Sequence, residues 1–135
     1  MPTPSRLMIK ASMLYMFAGF VIGALILISK VYPEYSSVWS LLLIHIEVSI
    51  FGWVIQFTMG TAYWILPRYL KTKSRGNPKL ALAMVGMLNL GILLNLASYI
   101  EMVSSSATIL GRIFEIGAVI LFVFLHWNRA VSYNT

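Results

Sequence analysis

Charged residues divide the chain into long apolar stretches. Residues 11–29, between Lys10 and Lys30, carry no charge, and a run of that length crosses a bilayer as a single helix. A second stretch runs from Val38 to Leu66, broken by His45 and Glu47, and a third from Leu80 to Ile100 without a charge. The fourth, Ala107 to Trp127, contains Arg112 and Glu115. Pro33 falls between the first two stretches, Pro67 closes the second, and Gly76-Asn77-Pro78 is turn chemistry ahead of the third. The pattern predicts transmembrane helices over residues 11–29, 38–66, 80–102 and 107–127, in one domain covering residues 1–135. The connections, Lys30–Ser37, Arg68–Lys79 and Val103–Ser106, are short, so consecutive helices are expected as antiparallel neighbours. The expected fold class is all-α: an integral membrane four-helix up-down bundle.

Composition supports lipid as the solvent. Hydrophobic residues make up 59% of the 135-residue chain and charged residues 10%, with mean hydropathy +0.83. Soluble domains carry about 45–50% apolar and about 25% charged residues. A globule this small cannot hide the excess, because much of its surface stays in water. A soluble enzyme and a disordered chain are both excluded. The absence of cysteine removes disulfides, zinc–thiolate sites, iron–sulfur clusters and a catalytic thiol. The basic start of the first stretch resembles a signal peptide. It is long for one, however, and Ile28 to Tyr32 offers no small-residue cleavage site, so it reads as a retained anchor.

The net charge of +6 does not lie along one polar face, as a nucleic-acid surface would require. It follows topology instead. Arg6, Lys10, Arg68, Lys71, Lys73, Arg75, Lys79 and Arg129 fall on one side of the expected membrane, and Lys30 and Arg112 at or near the other. The positive-inside rule then makes both termini and the middle loop cytoplasmic. Tyr35 and Trp39 on the outer side, and Tyr69 and Trp127 on the inner, sit where interfacial aromatics anchor.

Polar side chains within a span are costly and are functional candidates by default. With this topology His45 lies ~10 Å below the outer end of the second helix. Asn95, Arg112 and Glu115 stand at similar depth, which suggests one polar layer in the outer half of the bundle. Arg112 and Glu115 share a face at i,i+3 and read first as an ion pair. Glu47 is about 200° around the helix from His45 and points nearly the opposite way. His45 has two readings, a hydrogen bond to a neighbour such as Glu115 or ligation of a metal. From His45, helical spacing places Ser49, Gly52, Gln56, Gly60 and Tyr63 near one face. Small residues there admit a packed helix, and they equally leave room for a flat macrocycle held by His45. Gly19 and Gly23 form a GxxxG pair that reads as packing, and His126 reads as a cytoplasmic-interface residue.

The run His45-Ile-Glu-Val-Ser-Ile-Phe-Gly52-Trp53, continuing through Gln56, Gly60, Tyr63 and Pro67-Arg68, resembles the second transmembrane helix of subunit I of the haem-copper oxidases. The likeness is nearest to the cbb-type oxidase and nitric oxide reductase branch, and to short four-helix bacterial proteins of oxidase-subunit-I type. It covers His45–Arg68 in detail and the rest by helix count and topology. It implies that His45 is an axial ligand of a low-spin haem. Gly52, Trp53, Gly60, Tyr63 and Pro67 match packing positions around that helix. Ser49, Gly52, Trp53, Gln56 and Gly60 are thereby candidate haem-contacting residues beside His45, and Arg112 is a candidate partner for haem propionates.

The departures set limits. The family's second low-spin ligand, its high-spin haem ligand and its copper histidines all come from later helices. Here the only other histidine is His126, near the opposite face, and no methionine stands at the depth of His45. Met102 is too near the outer end, and Met59 and Met87 lie in the inner half. Oxygen reduction by this chain alone is therefore not expected, and whether it is an enzyme stays open. The expectation is a haem b-binding protein of a bacterial inner (plasma) membrane, acting in electron transfer or haem-linked sensing in a respiratory system. The second ligand would come from a homodimer sharing haem through His45, from a respiratory complex subunit, or be absent in a gas-binding five-coordinate site. The competing expectation is a haem-free structural or assembly subunit of a larger membrane complex.

Overall fold

The computed structural model describes residues 1–69, 73–101, 103–104 and 106–131, of Val131 the backbone alone. Lys71, counted above for topology, and Met102, weighed as a ligand, lie outside the described residues. The described chain is all-helical, and four helices are long and apolar enough to cross a membrane. We number them α1 (Thr3–Val31), α2 (Pro33–Ile65), α3 (Pro78–Tyr99) and α4 (Ser106–Val131).

Helices run past their charge-free stretches because a helix end at the lipid interface tolerates charge. α1 starts at Thr3 rather than near residue 11, with Pro4 in its first turn, where a missing N–H costs nothing. At about 1.5 Å per residue α1 is ~43 Å long, so its Arg6 and Lys10 turns extend beyond the hydrocarbon. α2 begins directly after Tyr32 and not at residue 38. Its first segment, Pro33–Leu41, is wound as a 3₁₀ helix with a kink at Tyr35 (φ −99°, ψ 22°). Asn77 caps α3 by accepting a 2.9 Å hydrogen bond from the Lys79 N–H, followed by Pro78 at the first helical position.

The middle of α2 departs from α-helical winding. Leu42–Ile46 is α-helical, Glu47–Ile55 is π-helical, and Gln56–Ile65 returns to α. π segments are rare and frequent at functional sites. This one begins two residues after His45 and includes Ser49, Gly52 and Trp53.

Burial is arranged for lipid. Leu14, Phe17 and Phe124 are more than 70% exposed, whereas the interior combines Met8, Met59, Met84, Leu88 and Ile92 with Tyr63. α1 packs along α2, and α3 has its most extensive contact with α4. Both crossings rest on glycine, as expected where helices gain nothing from hiding apolar surface. A Cβ on Gly91 would lie 2.7 Å from the Gly111 carbonyl oxygen of α4, a backbone atom that cannot turn aside. At the other end of α2, Arg129 of α4 donates from Nε to the Pro67 carbonyl (2.9 Å) and from Nη2 to the carbonyls of Leu66 (2.6 Å) and Tyr63 (3.1 Å). A cation thus satisfies the orphan carbonyls at the negative end of the helix dipole.

Gly91→Ala should force α3 from α4 and lower stability by about 1–3 kcal/mol. Gly86→Ala, with nothing within 4 Å of its Cβ position, should leave stability unchanged or slightly raised. Denaturation of the detergent-solubilised variants by SDS titration measures both.

Candidate functional site

His45 stands on the α-helical turn before the π segment, half-buried against α1. Its Nδ1 lies 3.0 Å from the carbonyl oxygen of Gly19. A carbonyl only accepts, so Nδ1 donates, and in the neutral ring the lone pair is on Nε2. No described residue hydrogen-bonds to Nε2. The imidazole fits because α1 has no side chain beneath it: a Cβ on Gly23 would lie 2.8 Å from His45 Cε1, and one on Gly19 would lie 2.7 Å from Ser49 Oγ. The GxxxG pair is therefore the seat of His45 and Ser49 on α1.

This seat opens into a groove of about 580 Å³ between α1 and α2, within the range of small-molecule sites. Gly19, Gly23 and Ala24 form its floor, and Phe20 and Trp53 line it with ring centroids 5.7 Å apart. Lys30 and Trp39 are at the end next to the α1–α2 turn, with Lys30 Nζ 5.2 Å from the Trp39 ring centroid.

The other sequence-selected residues divide between this groove and other places. Ser49 and Trp53 line it with His45. Gly52 and Gly60 face α1 further along, where their missing Cβ atoms make room for Tyr15 and for Met8 and Ile9. The small-residue face expected for helix two is real, and beyond the groove α1 fills it. Gln56 is fully buried, and neither amide atom has a hydrogen-bond partner among the described residues.

Arg112 is not brought to His45. It lies on the opposite side of α2 in a second cluster, so the single polar layer expected from depth becomes two sites separated by that helix. Arg112 Nη2 pairs with Glu47 Oε2 at 2.7 Å, and Nη1 with Glu115 Oε2 at 2.6 Å. Asn95 Nδ2 donates to Glu47 Oε1 (3.2 Å) and Glu115 Oε1 (2.9 Å), and Arg112 Nη2 also reaches the Tyr99 hydroxyl at 2.7 Å. Glu47, Asn95 and Glu115 are at most 2% exposed, and the guanidinium sits 4.9 Å from the Phe51 ring centroid. This network joins α2, α3 and α4. The expected Arg112–Glu115 pair is present, with Glu47 as a third member.

His126 is buried, 3% exposed. It stacks on Phe122 (4.3 Å between centroids), meets Tyr63 edge-on (5.3 Å), and bonds through Nδ1 to the Phe122 carbonyl (2.6 Å). Tyr63 is ~27 Å of helix rise from His45, so the two histidines occupy separate ends of the bundle. Among the described residues no group of three or more His, Cys, Asp or Glu could hold a metal ion.

Three participants escaped the sequence reading. Tyr99 sits at the end of α3 and was not singled out from the sequence. Lys30 was weighed only for topology, although Gly19, Gly23 and Lys30 share a face of α1. The Gly19 carbonyl carries no sequence signal beyond the absence of a side chain over it.

The fold and its groove define a multi-pass membrane protein with one accessible imidazole between its first two helices. A sequence model of the family described as cytochrome c and quinol oxidase polypeptide I matches residues 3–132, and the chain belongs to that family. No curated protein and no solved structure matched the chain.

Removing the shared cation tests the second cluster. Arg112→Met should cost about 3–5 kcal/mol, because two buried carboxyl groups lose their partner. SDS-titration unfolding is the measurement, and Arg112→Lys should recover only part of the loss, since an ammonium cannot span both carboxyls as a planar fork.

Proposed function

We propose that this chain is a membrane haem b protein related to oxidase subunit I, with His45 as an axial ligand. The observation that carries the reading is the 3.0 Å contact between His45 Nδ1 and the Gly19 carbonyl. Metal-ligating histidines characteristically donate their second ring nitrogen to a carbonyl or carboxylate, which fixes the tautomer and orients the ring. Here that partner is in place, Nε2 is free, and the surrounding groove is apolar. A bound haem supplies one-electron chemistry. The chain's own contribution is to aim Nε2, to keep water out with Phe20, Leu27 and Trp53, and to set a low dielectric.

One histidine serves the groove, so the second axial ligand comes from outside these residues. A second copy related by a two-fold axis, each giving His45, is the simplest source, and a respiratory partner subunit is the other. The role is electron transfer or haem-linked sensing in a bacterial inner membrane. Both termini are cytoplasmic, which places the groove in the outer leaflet. Within the family, the His45–Arg68 run resembles the cbb-type oxidase and nitric oxide reductase branch.

Gly52 and Gly60 favour a second reading, a haem-free structural or assembly subunit. Their small size serves the packing of Tyr15 and Met8, so that part of the motif is accounted for without a ligand.

Haem content after expression with haem supply separates the two. The first reading expects His45→Ala to abolish bound haem while the protein still inserts. It also expects Gly23→Val, which pushes the imidazole off its seat, to lower haem retention by about tenfold or more. A full haem complement in His45→Ala would overturn the ligand assignment.

A further inference from the structure

Lys30 lies two helical turns from Gly23 on the same face of α1, ~10 Å along the axis. The imidazole of His45 therefore stands partway along the groove, with Ser49 and Trp53 beyond it, and an ammonium stands at the end next to the α1–α2 turn. Among the described residues lining the groove, Lys30 alone is charged. Its Nζ rests 5.2 Å from the Trp39 ring centroid, beside the α1–α2 turn. No described carboxylate pairs with it.

An apolar slot with one ligating nitrogen inside and one cation at its rim is complementary to a flat amphipathic molecule. Such a molecule has a metal at its centre and carboxylates on one edge. Resting on the haem reading above, we infer that Lys30 anchors the propionate edge of the haem. The carboxylate edge of the bound macrocycle would then lie toward the α1–α2 turn. Arg112, engaged by Glu47 and Glu115 on the far side of α2, is not available for this role. A hydrogen bond from an ammonium to a carboxylate is charge-assisted and stronger than one between neutral groups.

The test compares two probes on the purified full chain: haemin, and its dimethyl ester, which keeps the iron and ring but lacks both carboxylates. Titrations followed at the Soret band give the affinity of each for wild type, Lys30→Met, Lys30→Arg and His45→Ala. Wild type should bind haemin roughly five- to tenfold more tightly than the ester. Lys30→Met should bind both as wild type binds the ester, Lys30→Arg should restore the preference, and raised salt should narrow it in wild type and Lys30→Arg but change nothing in Lys30→Met. Lys30 is exposed at a helix end, so the variants should insert and fold normally, which circular dichroism checks. If Lys30→Met keeps the full preference for haemin, or if wild type has none, the anchor assignment fails and ligation by His45 stands. If neither probe binds wild type, or His45→Ala binds both unchanged, the haem reading itself fails and this inference with it.

Discussion

The approach of α1 to α2 at Gly19 and Gly23 is the constraint on which the rest of the site depends. At one turn the absent side chain admits Ser49, and at the next it admits the imidazole of His45. The same exposure of backbone offers the Gly19 carbonyl to Nδ1. A single steric allowance thus fixes where the ring sits and which nitrogen is engaged by α1. Were α1 further away, His45 would have neither a partner for its N–H nor a wall behind it.

The opposite side of α2 is held by different means. In lipid, burying apolar surface between helices gains little, so association rests on close packing and polar contacts. Glu47, Asn95, Tyr99, Arg112 and Glu115 supply those contacts for α2, α3 and α4 at one level. Arg129 supplies them at the other end by closing the carbonyls of α2. α2 is therefore pinned to α3 and α4 through ionic groups, while its other face is left to glycine packing and the groove. The π winding from Glu47 to Ile55 lies between these demands, presenting Glu47 to α4 and Ser49 and Gly52 to α1 within a few residues.

Much of this is legible in the residues. The four spans follow from charge-free stretches, and the opposed directions of His45 and Glu47 follow from their separation of two. The ion pair of Arg112 and Glu115 follows from spacing. What was not legible depends on how helices lie against one another. Depth along the membrane put His45 and Arg112 in one layer, yet depth carries no information about azimuth, and α2 stands between them. His126, close to Trp127 and Arg129 in sequence, read as interfacial. It is buried because Arg129 turns inward to cap α2 and draws that face of α4 against Tyr63. The π segment left no periodic signature, since a few residues of wider winding do not change which face is small.

The central claim is that His45, set by the Gly19 carbonyl, is an axial ligand completed from outside these residues. An oxidised-minus-reduced absorption spectrum of the detergent-purified wild-type protein, expressed with haem supply, tests it most directly. The account predicts a sharp α-band and a shifted Soret peak, the signature of a six-coordinate low-spin haem. A colourless protein would contradict it.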